Sequence, residues 1–261
     1  MGFLALNTFG LLMVALVLLA GRRWKRVRIF REKMLNQWKA ALSIALIYLV
    51  AFMLGTGFTP GMFLTEVAGT IGMFCLSLIG LTLARSIGSF EPLPVTQSLK
   101  ERQRLLSRLV WSLGVALLAV PVAIILGGIG TGIGHVVFHE TIPQNLGSSL
   151  FPLSKWRVFF QLLAGAGMFE ETLFRLVILS LVWWVTGRKW LAILLSAVAF
   201  GAYHLSPLDS FYVTFWHYPM SQFLSSTFIG ILWGWVYMWR GYETAVLSHT
   251  LSDWLPFALF T

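Results

Sequence analysis

Apolar residues run along this chain in long blocks broken by short polar stretches, and the blocks are too long for strands. A helix needs about 20 apolar residues to cross about 30 Å of hydrocarbon. Blocks of that kind occupy 2–20, 40–57, 62–84, 109–134, 156–186, 190–205, 220–239 and 244–260. The pattern predicts an all-α polytopic membrane protein with about eight transmembrane helices. The first block has no basic segment before it and its positive charges follow it, so it is expected to be a helix and not a signal peptide.

Composition agrees with this pattern. The chain is 57% hydrophobic and 11% charged, with a mean hydropathy of +0.79, outside the range of soluble domains. The net charge of +9 raises the question of nucleic acid. Placement of the charge answers it: 16 of the 19 Lys and Arg fall in alternate loops, at 22–39, 85–108, 188–189 and 240. That is the positive-inside pattern, and it predicts an outside N-terminus and cytoplasmic basic loops. The run GRRWKRVRIFREK is expected to anchor topology, with anionic lipid as a compatible contact; no nucleic-acid module accompanies it. Cys75 has no partner for a disulfide. The glycines of GGIGTGIG, 127–134, follow no strand, so close helix packing or a helix end is expected instead of a phosphate loop. The stretch 86–108 turns amphipathic and basic in its second half, and 139–155 carries turn signals at Pro143, Asn145 and Gly147.

Against this background a few ionisable groups stand where lipid penalises them by at least about 2.5 kcal/mol each. They are Glu170, Glu171 and Arg175 in the fifth block, His204 at the end of the sixth, and His249 with Asp253 in the eighth. Glu66 lies near a boundary and is expected to reach the interface. Glu171 and Arg175 are four apart with the acid first, the favourable order for a pair along one helix face. Glu170 is rotated about 100° from Glu171 in a regular helix, which leaves its carboxylate available for chemistry. Pro207 opposes a continued helix just beyond His204. His249 and Asp253 share a face. By helix rise, Glu170 lies roughly 20 Å from the outer side and His249 on the order of 10 Å from the inner side, with His204 in the outer half. The three can therefore meet in one central polar cavity. A lone membrane histidine is more often a hydrogen-bonding group between helices, and a lone Glu–Arg pair more often a packing lock. The gathering of all these groups in the last four blocks favours a site. A carboxylate and an imidazole holding a water, with a second donor such as His249 for an oxyanion, is the minimum apparatus for hydrolysis in a dry cavity.

The ordered motifs Glu170-Glu171-x-x-x-Arg175, Phe200-x-x-x-His204 and His249-x-x-x-Asp253 resemble those of the CPBP intramembrane proteases, the CAAX prenyl protease and bacteriocin-processing (ABI) family. FIGILWGWVY, with Gly230 and Gly234, is similar to the family's glycine-bearing block. The resemblance covers roughly 109–261, a catalytic core integrated with the N-terminal helices and basic loops of 1–108. It implies an intramembrane glutamate-dependent endopeptidase of a prokaryotic cell membrane, acting on a membrane-embedded or lipidated protein or peptide. Glu170 and His204 are implied to activate water, His249 and Asp253 to support the oxyanion, and Glu171 and Arg175 to order the helix. Leu176 stands where the family often has glycine. Asp253 stands where asparagine is common, and an ionised aspartate repels an oxyanion, so orientation of His249 is its expected role. No cofactor is expected, although two histidines and a glutamate also form a known zinc set. His135 and His139 are a second conceivable ligand pair, with interfacial hydrogen bonding the simpler expectation. The rivals are a non-catalytic membrane scaffold or immunity-type protein and, lower, a proton-coupled transporter, for which paired interrupted helices are missing.

Overall fold

The computed structural model describes residues 2–20, 25–57, 63–88, 90–143, 153–209 and 211–260. Among them there is no strand. The helices are α1 (Gly2–Ala20), α2 (Lys25–Leu35), α3 (Trp38–Thr56), α4 (Phe63–Ser86), α5 (Pro94–Glu101), α6 (Leu105–Phe138), α7 (155–186), α8 (Lys189–Tyr203), α9 (Tyr212–Phe215), α10 (Pro219–Arg240) and α11 (Tyr242–Phe260). A helix thus covers most of each predicted block. By length and composition, Trp38–Thr56, Leu64–Ser86 and Leu105–Phe138 are long and apolar enough to cross a membrane, while Gly10–Leu19 and Lys189–Tyr203 are shorter apolar helices. Part of the basic run, 21–24, and the outer segment 144–152 with Asn145 and Gly147 lie outside the described residues.

The glycine block behaves as packing. Gly127, Gly130 and Gly134 lie along the α6 face that meets α10; a Cβ on Gly127 would stand 3.1 Å from Ile229 Cδ1. Gly230 and Gly234 bring the other side of α10 onto α8, where a Cβ would come within 3.1 Å of Ala197 Cα and 3.2 Å of Ile193 Cγ2. Small residues let backbones approach where lipid supplies no hydrophobic drive between helices.

Two carboxylates cap helices from outside them. Glu140 accepts from the amides of Met220 and Ser221 at 2.9 and 2.7 Å, at the start of α10. Burial pushes the Glu140 carboxyl upward, but these amides and the Ser221 hydroxyl outweigh it and hold it below its usual range. Glu243 does the same for α5, accepting from Val95 and Thr96 at 2.7 Å each. Each places negative charge on otherwise orphaned amides at the positive end of a helix. Glu66 departs from expectation. It is 3% exposed, held in the first turn of α4, a helix packed against α1, α3 and α7. Neighbouring helices there close the route by which its side chain was expected to reach the interface.

The regular helix expected through Glu170 is also corrected. Leu163–Glu170 and Thr172–Leu179 wind as π-helix, with α-helical turns on either side. The wider i→i+5 winding frequently marks functional sites. Carbonyls along it find side-chain donors: Tyr242 to Met168 O at 3.3 Å, Ser196 to Phe174 O at 2.7 Å and Ser180 to Arg175 O at 3.3 Å. Such donors satisfy backbone groups where no water is available.

Candidate active site

Glu171 and Arg175, on the interior face of α7, are both fully buried. Their Oε1 and Nη1 atoms are 3.3 Å apart, and Arg175 Nη2 also donates to Gly230 O at 3.3 Å. The helix-ordering pair expected from the spacing is therefore in contact. Its acid has a second partner that the spacing along one helix does not disclose, because Glu171 Oε1 lies 2.8 Å from His249 Nδ1. With Glu171 accepting, Nδ1 carries the hydrogen and the opposite nitrogen, Nε2, points toward the other acids. There it stands 3.5 Å from Asp253 Oδ2 and 3.9 Å from Glu170 Oε2. Orientation of His249 was expected from Asp253. The short contact belongs to Glu171, while the Asp253 separation exceeds a normal hydrogen bond.

The His249 ring is held on its faces as well. Trp233, fully buried, stacks on it at 5.3 Å and 27°, and Phe200 meets it edge-on at 5.7 Å and 77°. Phe200 also touches the His204 ring at 4.7 Å and 82° and carries the Arg175 guanidinium over its face at 4.4 Å. One aromatic side chain thus contacts both histidines and the buried cation, an arrangement favoured by the ring's negative face and positive edge. Phe200 belongs to the second motif, but spacing alone assigns it no role. Trp233, inside FIGILWGWVY, was not singled out.

His204 caps the end of α8. Its Nδ1 lies 2.9 Å from the Phe200 carbonyl, an oxygen that only accepts, so Nδ1 carries the hydrogen. Among the described residues Glu170 makes no ion pair with His204; its nearest imidazole is that of His249. The two meet in a different sense. Glu170, His204, His249 and Asp253 all line one cavity of about 650 Å³, whose walls include Phe52, Phe169, Tyr203, Phe215 and Ile229 and a polar strip of Gln161, Gln222, Ser225 and Ser226. An apolar pocket with a few converging polar groups is the usual form of a binding site.

The glycines before Glu170 divide in their work. A Cβ on Gly167 would collide with Thr250 Oγ1 and lie 3.4 Å from Val246 Cγ1, so this residue brings α11 against α7. Gly165 has nothing within 4 Å of such a Cβ and instead lines the cavity. Gly167→Val is expected to cost about 1–3 kcal/mol by overpacking, read as a lower melting temperature in detergent, while Gly165→Ala keeps the wild-type value.

For a metal, no three His, Cys, Asp or Glu side chains are grouped to hold an ion among the described residues. Nδ1 of His204 is engaged by the Phe200 carbonyl and Nδ1 of His249 by Glu171. His135 has a hydrogen-bond partner close by in the chain, its Nδ1 lying 2.9 Å from Glu140 O.

With this geometry in hand, the family comparison is specific. Residues 152–255 match the family model described as type II CAAX prenyl endopeptidase Rce1-like, a stretch that spans all three motifs and bears out the resemblance they carry. No curated protein and no solved structure matches the chain. The match and the apolar helices support a membrane protein and a protease of the CAAX class.

Proposed function

We propose that this chain is an intramembrane endopeptidase that hydrolyses a peptide bond of a membrane-associated or lipidated protein or peptide. The observation that carries the proposal is the convergence of Glu170, His204 and His249 on one largely apolar cavity. Glu170 takes a proton from a water held between it and His204 Nε2. The water oxygen bonds to the scissile carbonyl carbon, and the carbonyl electron pair moves onto oxygen. His249, fixed through Nδ1 by Glu171, donates from Nε2 to that oxyanion. Asp253, beside the same nitrogen, favours a proton there until the substrate oxygen takes its place. Collapse of the intermediate breaks the C–N bond, and the proton taken by Glu170 passes to the departing amine, directly or through His204. The scheme calls on no cofactor.

In this proposal α1, α3, α4, α6, α7, α8, α10 and α11 cross the bilayer, with the N-terminus outside. The cavity's place along these helices supports a reading of the face from which substrate arrives. α8 has Lys189 at one end and Tyr203 at the cavity end, about 21 Å apart by helix rise. α10 has Arg240 at one end and cavity-lining Gln222 at the other, about 27 Å apart. The cavity lies in the half of the bundle away from the basic loops, and behind its lining residue His249 are fully buried Glu171 and Trp233, with Arg175 against Glu171. Two basic side chains on the cavity side are spent on helix carbonyls: Lys155 donates to Ala258 O at 2.6 Å, and Arg157 to Gly55 O at 3.2 Å and to Thr56 O. Positive-inside placement then opens the cavity to the non-cytoplasmic face, and the substrate is a segment presented there.

Cysteine labelling tests this. In a Cys75→Ala background, Leu208→Cys at the cavity wall and Val213→Cys on exposed α9 are expected to react with a membrane-impermeant maleimide in right-side-out spheroplasts. Leu99→Cys on α5 is expected to react only after permeabilisation. The Leu208 adduct should also stop cleavage of membrane peptides. The reversed labelling pattern would overturn the access route without touching the hydrolytic chemistry.

A further inference from the structure

At the end of the bundle opposite the catalytic cavity lies a second cleft of about 470 Å³, where α5, the start of α6 and the end of α10 meet. Arg104, Arg108 and Arg240 line it together with Trp111 and Trp239. Its one carboxylate, Glu91, is already committed, to Arg85 at 3.0 Å and to the Leu93 amide at 3.0 Å. Glu243 nearby is committed to the α5 amides. Among the described residues none of the three arginines makes an ion pair, so the cleft carries a net positive charge that the protein leaves unbalanced.

The cations are arranged toward one place. Arg104 holds a left-handed backbone, φ 52°, immediately before α6, a conformation disfavoured for a non-glycine residue. The tight turn starts α6 at this point, and Arg104 and Arg108 both line the cleft. The first turn of α6, its positive end, thus stands at the cleft wall through Ser107 and Arg108. Arg240 is fixed between rings, 4.2 Å from Trp239 and 5.4 Å from Trp111. Planar guanidinium groups, a helix N-terminus and interfacial tryptophans match a phosphate that sits at a membrane surface. Below it on α10, the exposed Trp235 ring packs on cleft-lining Trp239 at 4.9 Å, giving an apolar track along which acyl chains can lie.

We propose that this cleft binds the phosphate of an anionic phospholipid in the leaflet on the basic side of the protein. Free phosphate shares the headgroup chemistry but leaves the apolar track bare, and the assignment is to the lipid. The test is titration of the full chain in detergent with phosphatidylglycerol, phosphatidylcholine or inorganic phosphate, read by melting temperature and by bound-lipid adducts in native mass spectrometry. Wild type is expected to be stabilised by phosphatidylglycerol and to retain it, with no comparable effect of the other two. Arg104→Gln with Arg108→Gln, both at exposed positions, should weaken phosphatidylglycerol binding about 30-fold, at roughly fivefold per arginine. Arg240→Gln serves as an independent check from the opposite wall. Equal phosphatidylglycerol binding by wild type and both variants would overturn the site, and stabilisation by inorganic phosphate alone would overturn the lipid assignment.

Discussion

Glu170→Gln is expected to lower peptide-bond cleavage about 100- to 10,000-fold, the usual contribution of a positioned general base, while leaving the protein folded. The amide fills the same space but takes no proton from water. Folding is spared because Glu170 stands on the cavity wall, and its described partner is His249 Nε2 at 3.9 Å, too far for a hydrogen bond whose loss would unfold anything. The melting temperature in detergent should therefore match wild type, separating loss of chemistry from loss of structure. A non-catalytic scaffold predicts an unchanged cellular phenotype for the same substitution.

Arg175→Ala has the opposite signature. It removes a fully buried guanidinium from Glu171, and an uncompensated buried charge costs about 3–5 kcal/mol. It also strips the cation from the Phe200 face and the donor from Gly230 O. Folded yield and melting temperature should both fall, and cleavage with them, since Glu171 no longer holds His249 Nδ1 in one place. Arg175→Lys keeps the charge without the planar fork and should recover stability only in part. A melting curve for Arg175→Ala superimposable on wild type would remove the pair from its structural role.

What the sequence discloses and what it hides have a common physical basis. Helical blocks, basic loops and pairs four residues apart are local patterns, so the all-helical architecture and the Glu171–Arg175 contact were legible in advance. The Glu171–His249 hydrogen bond joins residues 78 apart in the chain. It depends on how α11 packs on α7, which no spacing encodes. The π winding around Glu170 has side-chain donors on its carbonyls from α8, α11 and α7 itself, and a periodicity of charges read as regular helix misses it. Gly165 and Gly167 look equivalent in sequence; only their surroundings separate a packing residue from a cavity-lining one. Asp253 looked like the orienting partner of His249 because it shares a helix face with it and an ionised aspartate would repel an oxyanion, yet a distant carboxylate lies closer.

The most direct measurement is to isolate membranes from cells carrying wild type or Glu170→Gln at equal folded abundance, and to map the new peptide N-termini each contains. Wild type is expected to generate termini within membrane-associated segments on the non-cytoplasmic face, and these should vanish with Glu170→Gln while the uncleaved precursors accumulate. Identical sets of termini from the two membranes would contradict glutamate-dependent hydrolysis by this chain.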